Sequence, residues 1–150
     1  MSLEKKINTD LKEAILAKNR RKLEALRAIK AALLLEKTGT DVSGSEIPKT
    51  VELKMLQKLV KQRRESAIIY REQNRVDLAE EEEYQASIIE KYLPEQLSEE
   101  EIENRIKKII SDTGASSIKD MGRVMGMAAG QMTGIADNKI ISTLVKRLLS

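Results

Sequence analysis

The 150-residue sequence contains no cysteine, no histidine, no phenylalanine and no tryptophan. Without Cys there is no disulfide, no thiolate nucleophile and no thiolate metal ligand. Without His the commonest general base and the commonest transition-metal ligand are both missing. Tyr70, Tyr84 and Tyr92 are the only aromatic residues, too few for the ring platforms that stack single-stranded bases. Long apolar runs are missing as well. The most apolar stretch, Ala31 to Leu35, falls far short of the ~18 residues that suggest a membrane span. The first six residues, Met1 to Lys6, lack the apolar core of a secretory signal. Most enzyme chemistries are thereby disfavoured. The expectation is a cytoplasmic chain with no membrane contact, no cofactor and no metal.

What the chain does have is charge. It carries 27 basic and 24 acidic side chains, net +3, and 34% of its residues are charged. That share suits wide solvated helix faces. The small net value hides segregation: residues 1–64 are net +8, residues 65–103 net −10 and residues 104–150 net +5. Basic ends around an acidic middle either neutralise one another inside the molecule or leave a basic block facing an anion.

Apolar residues recur at helical spacing throughout. Ile7, Leu11 and Ile15, then Leu23, Leu26, Ile29 and Leu33, each mark one buried stripe. Lys18-Asn19-Arg20-Arg21 breaks the pattern between them. Thr38 to Pro48, with two glycines and a proline, reads as a loop. A long helix follows over residues 50–73, with Met55, Leu56, Leu59, Val60, Ala67 and Tyr70 on adjoining faces. Asn74 is a suitable stop because Asn tolerates the left-handed conformation. Asp77-x-x-Glu80 and Ser98-x-x-Glu101 read as capping boxes, the second with Leu97 and Ile102 as a hydrophobic staple. Pro94 ends the helix between them. Gly114 closes the next helix, Ser116 or Ser117 caps the one after, and Asp137 caps the last. No strand-like alternation appears. The fold is expected to be all-α: an N-terminal helical domain over residues 1–94 with one long helix, then a compact three-helix bundle over residues 95–150. The bundle core should comprise Ile102, Ile106, Ile109, Met121, Met125, Ile141, Leu144, Val145 and Leu148.

Several short patterns fail as chemistry. Gly39-x-x-x-x-Gly44 has P-loop spacing, but Ser45-Glu46 stands where the motif needs Lys-Ser/Thr. Ser116-x-x-Lys119 lacks the companion motifs of serine–lysine enzymes and reads as helix capping. Glu80 to Glu83 would bind Mg²⁺ only if carboxylates from another helix converged on them; acids favoured by a helix N-terminus account for them. No catalytic constellation emerges. Arg63 shares a helix face with Leu59 and Ala67, a costly place for a charge. It is expected to form a structural ion pair with a glutamate of the 80–90 segment.

One segment stands out. Gly122, Gly126, Gly130 and Gly134 recur every four residues, and a mid-helix glycine costs about 1 kcal/mol relative to alanine. Lys119, Arg123, Gly126 and Gly130 share one face with Gly122 at its edge, while Met121, Val124, Met125, Ala128 and Met132 lie opposite. The bare backbone either packs closely against another helix or admits a bulky partner such as a phosphate backbone.

The ordered motifs KQRRES (Lys61–Ser66), DLA (Asp77–Ala79), YLPEQLS (Tyr92–Ser98), DMGRVMG (Asp120–Gly126) and Gly134-x-Ala136-Asp137 resemble those of the YqeY-like proteins. These are similar to the C-terminal tail of the B subunit of the tRNA-dependent amidotransferase, the GatB/YqeY domain. The resemblance runs over nearly the whole chain. It departs at Asn74, commonly Gly; at Arg123, often Lys; and at Gln131, Thr133 and Ile135, often basic. In the large enzyme the tail helps to hold tRNA while the chemistry occurs elsewhere. The resemblance therefore implies an accessory, non-catalytic RNA-binding module, with tRNA and the amidotransferase or another translation-related protein as partners. Lys119, Arg123, Lys146 and Arg147 would contact phosphates, and Gly122, Gly126 and Gly130 would permit close approach. Two alternatives remain: an adaptor that docks a partner helix on the glycine face, and a carbon–nitrogen ligase using glutamine as amide donor, as the family name implies.

Overall fold

The structure, a computed structural model, describes residues 2–39 and 47–150. All regular elements among them are helical: α1 (Leu3–Leu16), α2 (Arg20–Gly39), α3 (Lys49–Glu72), α4 (Val76–Glu90), α5 (Glu99–Thr113), a 3₁₀ turn (Ile118–Asp120), α6 (Met121–Gln131) and α7 (Asn138–Leu149). The fold class is all-α. Contacts divide the chain into two compact units, Met1–Leu93 and Pro94–Ser150.

Local chemistry explains most helix ends. Ser2 accepts a hydrogen bond from the Lys5 amide at the start of α1, and Asn19 does the same for Lys22 at the start of α2. Lys18 turns the chain between them at φ 55°. Asn74 takes φ 60° after α3, the left-handed stop expected of it. Ser98 and Glu101 form a complete capping box, Gly114 is left-handed at φ 70°, and Asp137 caps α7 through the Lys139 amide. The Asp77–Glu80 capping box does not form. Arg75 occupies the N-cap of α4 without a side-chain cap bond, which places Asp77 inside the first turn, bonded to the Arg75 guanidinium at 3.3 Å. Nor does α4 reach Pro94: after Glu90 the amides of Lys91, Tyr92 and Leu93 bond to carbonyls three residues back. That tighter winding ends the helix before the proline. The loop-like stretch from Thr38 to Pro48, with its Gly39–Gly44 pair, falls largely on residues 40–46, outside the described residues.

Each unit has its own core. In residues 1–93 it is built from Ile7, Leu11 and Ala14 of α1, Ala25, Leu26, Ile29 and Leu33 of α2, Met55 and Leu56 of α3, and Ile88 and Ile89 of α4. Ala14 takes the place expected of Ile15, which is exposed, because seven residues return a helix closer to its starting face than eight. The C-terminal half of α3 lies against α4, and outside the main core the buried residues of the two helices are all alanines, Ala67, Ala79 and Ala86. Such residues let the two backbones approach closely.

In residues 94–150 the core comprises Ile102, Ile106 and Ile109 of α5, Val124 and Ala128 of α6, Met132, and Ile141, Leu144, Val145 and Leu149 of α7, with Ala115 and Ala136. Met121, Met125 and Leu148, expected inside, are only partly buried against it. The apolar face of α6 is the one the spacing indicates, but its centre falls on Val124 and Ala128. The chain after Pro94 is strapped to the α6–α7 loop: Gln96 Nε2 donates to the carbonyls of Pro94 and Gly134, and the Leu97 amide to that of Ile135.

Candidate nucleic-acid interface

The candidate face is built on α6. Ser117 accepts a bond from the Lys119 amide, and Asp120 closes a capping box around this entry turn. Asp120 also accepts from the amides of Ser116 at 3.0 Å and Ser117 at 3.4 Å. These backbone donors, with Arg123 nearby, hold its carboxyl below the usual aspartate range. Lys119 therefore sits on a 3₁₀ turn just ahead of α6, where it is exposed.

Gly122, Gly126 and Gly130 are exposed on α6, offset by about 40° from one to the next. A Cβ added to any of the three would meet nothing within 4 Å. These glycines are therefore not required by packing inside the molecule. Only Gly126 lies mid-helix; Gly122 is in the first turn and Gly130 in the last, so the full helix-propensity cost falls on Gly126. Gly134 has a different task. It is buried beyond the end of α6 at φ 79°, where an L side chain would be strained.

The cations are only partly free. Arg123 donates to Asp120 at 3.4 Å and to the Thr113 carbonyl at 3.5 Å, yet its side chain stays 55% exposed. Arg147 is engaged with Glu103 at 2.7 Å, a carboxylate that Lys107 also approaches, at 3.9 Å. Thr113 and Glu103 are ten residues apart on α5, about 15 Å along its axis. Arg123 and Arg147 thus engage opposite ends of α5, and the structure gives Lys146 and Arg147 no bond to the glycine face. Lys119 and Lys146 carry no ion pair among the described residues. Arg105, Lys108 and Lys139 are further exposed cations of this unit that a glycine-centred reading passes over. Nothing in their spacing separates them from an ordinary solvated face. The unit holds eight basic and eight acidic side chains, so any anion binding here is local and not driven by net charge.

Arg63 does reach the 80–90 helix, but its partner is an amide and not a carboxylate. Its Nε donates to Gln85 Oε1 at 3.1 Å and its Nη1 to the Leu59 carbonyl at 3.0 Å. Gln85 passes the polarity on, donating to Glu24 at 3.4 Å. Arg63 is half-buried, and neutral oxygens satisfy it without a second charge being desolvated. The glutamates go to other arginines: Arg64 to Glu90, Arg71 to Glu83 and Arg21 to Glu81.

Among the described residues no group of three or more acidic side chains is placed to hold a metal ion. No helix among them is long and apolar enough to cross a membrane. Two open cavities of about 320 and 330 Å³ in the N-terminal unit share Ser2, Ile47 and Glu52 in their walls.

The chain is 30% identical over 131 residues to the protein of Meyerozyma guilliermondii named altered inheritance of mitochondria protein 41, mitochondrial; the match covers 85% of this chain and 67% of that relative. A protein of the same name from Clavispora lusitaniae is 33% identical over 113 residues, covering 73% of this chain and 64% of its own length. The matched regions thus span about two thirds of these relatives. A family model described as Yqey-like protein matches residues 4–149. With the motifs in order along that span, the chain belongs to the Yqey-like protein family.

Proposed function

We propose that the chain is an accessory RNA-binding module, for tRNA, that works beside or in place of the amidotransferase tail and is not itself catalytic. The observation that carries this reading is the open face of α6. Three glycines leave backbone bare where side chains would fit, and Lys119 and Arg123 flank it with positive charge. A phosphate backbone can approach such a surface closely and gains charge-assisted hydrogen bonds there. With three tyrosines in the chain, recognition would follow duplex shape more than base identity. The test is a tRNA mobility shift across ionic strength. Binding should weaken steeply with salt, and Lys119→Ala or Arg123→Ala should each reduce the logarithmic salt slope by about 1. Absence of a shift at low ionic strength would end this reading. The compartment does not decide it: the proposed site is cytoplasmic, and if the chain shares the mitochondrial placement in its relatives' names, tRNA is present there too.

A second reading, an adaptor docking a partner helix on the same face, is favoured by the exposure of Ile118 and Met127 near the glycines. Binding of that kind rests on apolar anchors and depends little on salt. Gly126→Leu separates binding from folding, because the added side chain points into open space. It should abolish partner capture and leave the fold intact. A carbon–nitrogen ligase activity is suggested only by the family label; a glutaminase assay on the isolated chain should read background.

A further inference from the structure

Two outer faces of the N-terminal unit carry exposed apolar residues beside charges that form no ion pair among the described residues. On α2, Arg27, Ala31 and Leu34 lie within about 60° of one another, with Lys30 and Leu35 on either flank. Leu34 is 63% and Leu35 72% exposed, and neither Arg27 nor Lys30 forms an ion pair among the described residues. On α3, Glu65, Ile68, Ile69 and Glu72 fill a sector of about 100°. Ile68 is 59% and Ile69 52% exposed, and Glu65 and Glu72 are equally without ion pairs among the described residues. Every one of these residues sits away from the core, so one face does not cover the other within the chain.

We propose that the α2 face docks the α3 face of a second copy of this chain. Each face offers two adjacent aliphatic side chains, and the free charges are opposite in sign. From Arg27 to Leu35 the α2 patch is about 12 Å long, and from Glu65 to Glu72 the α3 patch is about 10 Å, so the two match in reach. An anionic lipid surface fits less well. Arg27 and Leu34 share one angular sector, whereas a helix lying on a membrane segregates cations and apolar residues around its axis. Because the two faces differ, the contact is heterologous and each copy keeps one face free for the next.

The test is sedimentation of the full chain over a concentration series reaching about 1 mM. The average mass should rise with concentration and fall as salt screens the charges. Arg27→Glu with Lys30→Glu makes both faces acidic; Glu65→Lys with Glu72→Lys makes both basic. Each double variant alone should associate at least about 10-fold more weakly, since like charges then meet. An equimolar mixture of the two should recover the association, because acidic and basic faces alternate again. A wild-type chain that stays monomeric at every concentration would overturn the proposal. So would association that survives either reversal, or a mixture that remains monomeric.

Discussion

In residues 1–93 three of the five glutamates of α4 are taken by arginines from other helices, whereas in residues 94–150 the acids that titrate low are bound to backbone amides. Arg21, Arg64 and Arg71 reach Glu81, Glu90 and Glu83. Glu101 and Asp120 instead close helix ends, accepting from the amides of Ser98 and of Ser116 and Ser117. In the first unit these arginines offset part of the acidic block, while Arg27, Lys30, Glu65 and Glu72 stay without ion pairs among the described residues. In the second, acids used as caps leave Lys119 and Lys146 without ion pairs among the described residues. A surface for an anionic ligand is easier to build where the carboxylates are already occupied by the backbone.

The comparison breaks most decisively in the cores. Ile106 is 0% exposed and belongs to a core drawn from α5, α6 and α7 of the second unit. Ile106→Ala should cost about 2–5 kcal/mol. Amide exchange should accelerate across residues 94–150 and remain slow at Ile29 and Ile89, which belong to the other core. Uniform acceleration over both units would show that they unfold as one.

Next in size is Tyr92, at the end of the first unit. Its hydroxyl donates to Asp10, and the Lys6 ammonium lies 5.3 Å from its ring centroid. Burial first, then the hydrogen bond and the charge of Asp10, raise its pKa above the ordinary 10.0. The neutral phenol is thus favoured in the folded state. Its contribution is complete below about pH 10 and is lost as pH rises through the folded value. Tyr92→Phe should cost about 1–2 kcal/mol at neutral pH and flatten the alkaline limb of a stability–pH curve. A limb of unchanged steepness would assign it to other groups.

Which features were legible before the structure follows from how local they are. Ser98–Glu101, Asn74, Gly114 and Asp137 act within a few residues, so their roles can be read along the chain. Choices made between helices cannot. Arg63 faces a helix that offers Gln85 among several glutamates, and which one it meets depends on the offset of α3 against α4. Likewise, the pattern around α6 identifies the glycine face, but pairing of Arg147 with Glu103 depends on how α7 lies along α5. The Asp77–Glu80 capping box fails for a local reason that its pattern does not show: Arg75 holds Asp77 by a direct ion pair and competes with the cap.

Gly126→Ala offers a smaller and opposite effect. The new methyl group meets no atom within 4 Å, so only helix propensity changes, and the C-terminal unit should gain up to about 1 kcal/mol. If the face binds tRNA through close backbone approach, the same variant should bind more weakly while being more stable. Gain of both stability and affinity would remove the glycine from the binding surface.

The smallest effect separates the two kinds of carboxylate directly. Glu83 titrates below its ordinary 4.5 because Arg71 donates to it at 2.6 and 3.0 Å. Glu101 is lowered chiefly by the backbone amide of Ser98. For both, the stabilising contribution is present above the ordinary carboxylate value and is lost as pH falls through the depressed one. Both contributions are complete and independent of pH near pH 7, and a chain with no His should have a nearly flat stability curve from about pH 6 to 8. Both carboxyls are exposed, so salt should act on them differently. At about 1 M salt the Debye length shrinks to roughly 3 Å, and the part of the shift at Glu83 that comes from the charges of Arg71 and Arg64 should fade. The amide donor to Glu101 is a fixed dipole in direct contact and should persist. Carboxyl-carbon NMR titrations at low and high salt should therefore show Glu83 moving back toward 4.5 and Glu101 holding its place. Arg71→Gln should reproduce the effect of salt at Glu83 alone, because the arginine is the largest cause of its shift. If both carboxyls moved together, long-range charge and not the nature of the donor would govern them, and the contrast between the units would not extend to their acids.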